Sequence, residues 1–140
     1  MANYALGFDY GTKKTGLAIA NLSTGLITPF SDCLLMHDGI PDWDQLEQLL
    51  AQWQPRQLVV GQPFSEDTQH EPSYVAMEKR IKKFKNRLFG RYGLPCHWQD
   101  ERLTSVEAEQ IHCDSSHEWY KIPIDSISAA LILQQWINTP

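Results

Sequence analysis

The sequence predicts an α/β protein, with a mixed sheet of about five strands and helices on both faces. Two observations indicate this class. The first is a change in apolar spacing, because the opening segments alternate as strands do and later segments switch between helical spacing and short apolar runs. The second is the resulting order, β-β-β-α-β-α-β-α-α, in which helices connect strands. A chain of 140 residues has the size of one domain, so we expect a single domain over residues 1–140.

Three strands are expected first. In YALGFDY, residues 4–10, large side chains alternate with small ones, and Asp9 falls on the face of small residues. The turn GTKK returns the chain as a second strand, TGLAIAN, which forms an antiparallel hairpin with the first. A third strand is expected within GLITPFSDCLLM, where Pro29 favours an edge or a bulge because proline cannot donate a ladder hydrogen bond.

Helices and strands then alternate. PDWDQLEQLLAQW has apolar residues at helical intervals, and RQLVVG is typical of a short buried strand. The longest helix is expected over residues 73–89, ended by Gly90 or Gly93. LPCHWQ follows as a strand, and Thr104 with Glu107 predicts a capping box that begins a short helix. IPIDSISAALILQQWI completes the pattern as an apolar helix whose adjacent alanines permit close approach to the sheet.

Charge is distributed unevenly along the chain. The formal net charge is −5, but seven of the twelve basic residues lie between Lys79 and Arg91, with no acidic residue among them. The rest of the chain therefore holds five basic and seventeen acidic residues. Such segregation favours a local basic surface for nucleic acid on an otherwise acidic protein, although a solvated helix face explains the same run.

The cysteines and the apolar runs bear on location. Three cysteines, an odd number without framework spacing, favour a reducing compartment over a disulfide scaffold. The sequence shows no signal-peptide pattern, and no run approaches the roughly 18 apolar residues of a membrane span. We therefore expect a cytoplasmic protein without a membrane partner.

Three carboxylates stand at the ends of predicted elements. Asp9 ends the first strand, Glu101 follows the strand LPCHWQD, and Asp125 lies in the first turn of the last helix. In α/β proteins, residues at the carboxyl ends of strands and at the starts of helices can meet at one edge of the sheet. Carboxylates from separate elements are the oxygen ligands that Mg²⁺ or Mn²⁺ needs in order to promote phosphodiester hydrolysis. The pattern therefore predicts that these three acids are metal ligands and catalytic residues.

Each acid also has an ordinary structural explanation. Asp125 complements the helix dipole, and Glu101 is placed to pair with Arg102 at the surface. Asp9 would start the turn by accepting hydrogen bonds from the amides of GTKK. This explanation is weakest for Asp9, because strands disfavour aspartate and its neighbours are apolar.

Four stretches together resemble one family. LGFDYGTKKTGLAIA, LVVGQPF, DERLTS and KIPIDSISAALILQ, in this order and at these separations, are similar to the YqgF/RuvX family. Its members are described as Holliday junction resolvases and as nucleases that mature the small-subunit ribosomal RNA precursor. The resemblance implies an RNase H-like fold and a metal-dependent nuclease site, whose acids map onto Asp9, Glu101 and Asp125.

The resemblance and the basic run also suggest substrate-binding residues. Thr12 and Lys13 fall in the strand-turn motif and are expected to contact phosphate, and Arg102 falls in the acidic motif, where it would orient substrate or pair with a carboxylate. The basic run adds a helix face that would hold the phosphate backbone, with the candidates Lys79, Lys82 and Lys83. The chain departs from the family at Gln62 and in the loop EDTQHEPS, which contains no glycine.

Several functions are compatible with these residues. Maturation of the pre-16S rRNA is preferred, with cleavage of branched DNA at a Holliday junction as the alternative. A non-catalytic nucleic-acid-binding module is a further alternative, which the presence of all three acids disfavours. An ATP-binding protein of the actin type is disfavoured because 140 residues supply only one of the two lobes it needs. The expected partner is structured RNA or branched DNA, and both a monomer and a homodimer stay open.

Overall fold

One mixed sheet organises the computed structural model, which describes residues 3–63, 71–101 and 104–139. Its seven strands are β1 (Tyr4–Asp9), β2 (Lys14–Asn21), β3 (Leu26–Pro29), β4 (Leu34–His37), β5 (Ile40–Pro41), β6 (Gln57–Pro63) and β7 (Cys96–Glu101). The helices within these residues are α1 (Trp43–Trp53), α2 (Pro72–Tyr92), α3 (Thr104–Cys113) and α4 (Ile124–Asn138). The spatial order of the strands is β5-β4-β2-β1-β6-β7, and β3 also pairs with β2.

The directions of the strands determine which strand ends, and so which acidic residues, lie at the same edge of the sheet. β1 is antiparallel to β2, whereas β1 and β6 are parallel, as are β6 and β7. The carboxyl ends of β1, β6 and β7 therefore lie at the same edge of the sheet. Asp9 is the last residue of β1 and Glu101 is the last residue of β7, so both acids reach this edge, with β6 between their strands.

The predicted third strand is divided in two. β3 pairs with the second half of β2, and β4 pairs with its first two residues. The register shifts by two residues between the pair Ala18–Pro29 and the pair Thr15–Leu34, so the segment between β3 and β4 bulges out. Pro29 ends β3, as expected for a residue without an amide hydrogen. The short strand β5 was not predicted, and together with the division of the third strand it brings the sheet to seven strands, against about five expected.

Large apolar side chains fill one face of the sheet, below α1 and α2. The alternation in β1 places Leu6 and Phe8 there, and Tyr4 and Tyr10 pack against the same cluster, as predicted. The fully buried residues of this core include Leu6, Phe8, Leu17, Leu34, Leu46, Leu58, Ile81, Phe84 and Leu88. This cluster is the main hydrophobic core and fixes β1, which carries Asp9.

Small residues cover the other face and let α4 approach closely. Ala129 and Ala130 pack on the alanines of β1 and β2, which confirms the predicted close approach. At Gly16 a Cβ atom would lie 1.9 Å from the carbonyl oxygen of Asp125, and at Gly61 it would lie 2.2 Å from Ile132 Cδ1. At both positions only glycine allows α4 to lie this close to the sheet. The expectation of helices on both faces is therefore confirmed.

Helix boundaries follow local signals. Asp42 caps α1 by accepting from the backbone amide of Gln45 at 3.1 Å. α2 is longer than predicted and ends at Gly93, the second of the two predicted stops, where φ is 65°. α3 begins at Thr104, as predicted. Within the described ranges, none of the helices is long and apolar enough to cross a membrane.

Candidate active site

Asp9 lies on the α4 face of the sheet, at the carboxyl end of β1. Gly7, two residues earlier on the same face, lies directly beneath Leu133 of α4. Burial is the main reason why the pKa of Asp9 is well above its ordinary value, and the nearby charges of Glu101 and Asp125 raise this pKa further. A protonated Asp9 also donates a hydrogen bond to the Glu101 carboxylate, which has the same effect.

Glu101 ends β7 on the same face, because Gln99, two residues earlier in the strand, lines a cavity together with Leu131 of α4. The hydroxyl group of Thr104 donates a hydrogen bond to Glu101 Oε1. Burial raises the pKa of Glu101, whereas the hydrogen bonds from Thr104 and Asp9 lower it, and the charge of Asp125 raises it again. The net direction is upward, so burial and the charge of Asp125 together outweigh the two hydrogen bonds.

Asp125 comes from the first turn of α4, as predicted. Its Oδ2 atom lies 3.6 Å from Nζ of Lys14, the first residue of β2. Both side chains are partly exposed, at 38% and 60% of their surface, so solvent screens this ion pair. The carbonyl of Asp125 is fixed by its close approach to Gly16, which means that β2 positions the start of α4.

The three predicted acids are thus brought to one end of the sheet, within electrostatic reach of one another. They do not form a closed metal centre, since the described residues contain no cluster of three His, Cys, Asp or Glu side chains already gathered around a common point. The set offers oxygen ligands only, and its three members repel one another when they are ionised. A hard divalent cation would relieve that repulsion.

The predicted phosphate contacts in the β1–β2 turn have a structural role as well. The carbonyl oxygens of Thr12 and Lys13 accept hydrogen bonds at 3.0 Å, from the amides of Gly39 and Met36 respectively. The Lys13 side chain is exposed. The turn is therefore tied to the β4–β5 hairpin by its backbone, and its lysine side chain faces solvent near the site.

The predicted helix cations lie on α2, on the opposite face of the sheet from the acids. Lys79 and Lys83 line a groove beside the β4–β5 hairpin, whereas Lys82 is exposed on the same helix outside that groove. Arg102 and most of the loop EDTQHEPS lie outside the described residues. The structure thus brings the three acids together and places these lysines apart from them.

Sequence reasoning missed two residues that touch the acids. Thr104 was assigned to a capping box, but its hydroxyl group bonds Glu101, and the sequence gives no signal for this contact because the capping spacing already explains Thr104. Lys14 was passed over in favour of Lys13, although alternation along β2 distinguishes them once the register is known. In addition, Cys33 Sγ lies 3.7 Å from Ser126 Oγ, next to Asp125.

Comparison with known proteins assigns the family. The profile of the RuvX family, described as "Holliday junction resolvase", matches residues 3–139. The chain belongs to the RuvX family. This membership confirms the resemblance found in the sequence and identifies the chain as a nuclease, that is, a hydrolase.

Relatives of this RuvX-family chain share its full length. A protein of Actinobacillus pleuropneumoniae serotype 5b (strain L20) named "Putative pre-16S rRNA nuclease" is 43% identical, over 99% of this chain and 98% of the relative. A protein of Azotobacter vinelandii with the same name is 40% identical, over 94% of this chain and 91% of the relative.

Solved structures confirm the fold. T. thermophilus RuvC in complex with a Holliday junction substrate aligns with a TM-score of 0.56 at 11% identity, over 96% of this chain and 94% of that one. A second solved structure, described as "Thermus thermophilus RuvC structure", gives a TM-score of 0.55 at 11% identity, over 95% of this chain and 94% of that one. The RNase H-like fold expected from the sequence is therefore confirmed for this member of the RuvX family.

Proposed function

We propose that this chain is a divalent-metal-dependent endonuclease that matures pre-16S rRNA, and that Asp9, Glu101 and Asp125 are its metal ligands and catalytic residues. The observation that carries the proposal is the convergence of these acids from two strand ends and a helix start. The named relatives support the substrate, since full-length similarity at 40% or more accompanies a pre-16S rRNA nuclease name. One RNase H-like domain over residues 1–140 would hold the whole site.

The donor set fits Mg²⁺ or Mn²⁺. Carboxylate oxygens suit hard cations, and the mutual repulsion of Asp9 and Glu101 favours a bound positive charge. When bound, the metal supplies Lewis-acid activation of water and stabilisation of the leaving oxygen of the phosphodiester. Asp9, Glu101 and Asp125 would hold it.

The surrounding residues position these acids and the substrate. Thr104 restrains Glu101 through its hydroxyl group, as outer partners of metal ligands commonly do. Lys14 neutralises part of the charge on Asp125 and is exposed enough to contact a phosphate oxygen. Thr12, Lys13 and Arg102 are proposed phosphate contacts beside the cleaved bond. Lys79, Lys82 and Lys83 would hold backbone further along the substrate.

A four-way DNA junction is the alternative substrate, and the family description favours it. Symmetric cleavage of a junction needs two sites, and hence a homodimer, whereas trimming one RNA end needs only a monomer. The oligomeric state of the complex with each substrate therefore helps to separate the two candidates.

The experiment compares cleavage of a labelled pre-16S rRNA end and a labelled four-way DNA junction, each with Mg²⁺ and with chelator. Glu101→Gln keeps the shape of the side chain and removes its charge, and Glu109→Gln makes the same change at an exposed position of α3. We expect wild type and Glu109→Gln to cut the RNA only with Mg²⁺. Glu101→Gln should lower kcat/KM about 100-fold or more, because removal of a metal ligand should cost at least as much as removal of a residue that hydrogen-bonds to a ligand.

Two outcomes would change the conclusion. Cleavage of the junction alone would make the protein a DNA resolvase with the same site. Binding of both substrates without cleavage of either would contradict the nuclease proposal and favour a binding module.

A further inference from the structure

A groove of about 400 Å³ lies between α2 and the β4–β5 hairpin, and we call it the α2 groove. Four cationic side chains of α2 line it, namely Lys79, Arg80, Lys83 and Arg87. The hairpin supplies the facing wall. The spacing of the four residues places them on one side of the helix, since positions three to four apart are neighbours on a helical surface.

The cations of the α2 groove are poorly neutralised. Within the described residues, Arg80 pairs with Asp38 at 3.9 Å, and the Asp38 side chain is 87% exposed. Lys79, Lys83 and Arg87 have no carboxylate within ion-pair distance among residues 3–63, 71–101 and 104–139. They also follow one another at intervals of four residues, an arrangement of like charges that destabilises a helix. An anionic ligand would remove this repulsion.

The facing wall is a fixed structure. Asp38 and Gly39 both have positive φ, 50° and 84°, which forms a tight turn between β4 and β5. The hydroxyl group of Tyr10 donates to the Gly39 carbonyl at 3.2 Å, and the Gly39 amide donates to the Thr12 carbonyl at 3.0 Å. The turn is therefore anchored both to β1 and to the β1–β2 turn.

The α2 groove and the acids lie on opposite faces of the sheet. The Tyr10 ring packs 5.2 Å from the ring of Phe84 on the α2 side, whereas Asp9, its neighbour in sequence, faces α4. The β1–β2 turn connects the two faces at the same edge. A phosphate bound in the α2 groove therefore cannot be the one that the acids cleave. It can belong to the same nucleic-acid strand, at a point where that strand has passed over the β1–β2 turn.

We propose that the α2 groove is an exosite for the sugar-phosphate backbone of the RNA, at nucleotides that flank the cleaved bond. This inference rests on the proposed function and deepens it by assigning the enzyme an extended substrate. Three cations that pair with no carboxylate among the described residues suit successive phosphates, and the Tyr10 hydroxyl and ring add a polar and an aromatic surface at the base of the groove. The substrate path runs from the acids, over Thr12 and Lys13, into the α2 groove.

The test measures equilibrium binding of a long precursor RNA by fluorescence anisotropy in chelator, over a range of salt concentrations. Arg87→Gln removes one groove cation, and Arg56→Gln removes the same charge from an exposed residue at the amino end of β6, away from the acids. We expect Arg87→Gln to weaken binding several-fold at low salt and to lower the salt slope by about 0.7 to 1, because one phosphate contact is lost. Arg56→Gln should leave the slope unchanged, and Arg87→Lys should restore it.

Cleavage with Mg²⁺ gives the second readout. A short oligonucleotide that spans only the nucleotides next to the cleaved bond cannot reach the α2 groove, so Arg87→Gln should reduce kcat/KM for the long RNA and leave it unchanged for the short one. Equal effects of Arg87→Gln and Arg56→Gln on the salt slope would overturn the exosite. Failure of wild type to cut any RNA would instead refute the proposed maturation of pre-16S rRNA, and the binding data would still decide the exosite.

Discussion

At the scale of single residues, the Thr104 hydroxyl group is the contact that fixes Glu101. Thr104→Val replaces this hydroxyl with a methyl group of similar size at a buried position. We expect kcat/KM to fall about 10- to 100-fold, because Glu101, a proposed metal ligand, loses its outer partner. Thr104→Ser keeps the hydroxyl group and should recover most of the activity. If Ser and Val behave alike, the hydroxyl group has no role in positioning Glu101.

The raised pKa of Asp9 predicts a pH-dependent stability in chelator. Between its ordinary pKa and the raised folded value, the folded chain holds a proton that the unfolded chain has released. The free energy of unfolding therefore falls as pH rises through this interval. Asp9→Asn cannot titrate, so we expect it to be more stable than wild type by a margin that widens as the pH rises above the ordinary pKa of aspartate. Denaturant unfolding at several pH values measures the margin, and a constant margin contradicts the prediction.

Residues differ in how far the sequence predicts them. Asp9 could be singled out because a charge on a strand of apolar residues needs a partner. Thr104 could not, because its capping spacing is satisfied by an ordinary helix start and only the fold reveals that Glu101 lies within reach of its hydroxyl group. The choice between Lys13 and Lys14 likewise needs the strand register.

At the scale of elements, the contact between β2 and α4 determines where Asp125 stands. Gly16→Ala would place a methyl group 1.9 Å from the Asp125 carbonyl oxygen, so backbone must move. We expect a loss of about 2 to 4 kcal/mol in stability and a fall in activity, because α4 is displaced together with its acid. Thermal unfolding and the RNA cleavage assay measure the two effects.

Gly90→Ala is the matched control. Gly90 lies within α2, and apart from its own stretch of helix no atom of the described residues lies within 4 Å of the position of its added Cβ. The substitution should be neutral or should stabilise by up to about 1 kcal/mol, since alanine is the better helix former. If Gly16→Ala proves as harmless as Gly90→Ala, close packing of α4 is not what positions Asp125.

The order of elements was predictable because apolar periodicity records which face of each segment is buried. The division of the third strand was not, because Pro29 signals an interruption without giving its length. The two-residue shift in register arises from pairing with β2, which is a long-range property. The strand β5 depends in the same way on a turn whose residues, Asp38 and Gly39, are held by Tyr10 and Thr12.

At the scale of the whole molecule, bound metal should join segments that are distant in sequence and stabilise their assembly. We expect Mg²⁺ to raise the Tm of wild type, because a ligand that binds only the folded state stabilises it by about 1.4 kcal/mol for each tenfold excess over Kd. Asp125→Asn should abolish most of this shift. An equal shift in both proteins would show that the ion binds elsewhere.

The charge distribution of the molecule was only partly predictable. The sequence indicates a basic segment, and the fold confirms that part of it lies on one surface. The sequence does not tell which lysines share a groove, since Lys82 and Lys83 are adjacent in sequence but only Lys83 lines the α2 groove. The opposing hairpin wall comes from a segment about 40 residues earlier, which no local pattern in α2 reveals.

The helix that completes the site is also the last of the described elements to be synthesised. β1, β6 and β7 can pair before α4 exists, but their small-residue face then has no cover and the site lacks Asp125. Because Asp125 is a proposed metal ligand, we expect a nascent chain to be catalytically silent until α4 has left the ribosome and docked. For an enzyme proposed to cut ribosomal RNA, this order of synthesis would keep the growing chain from acting on the ribosome that makes it.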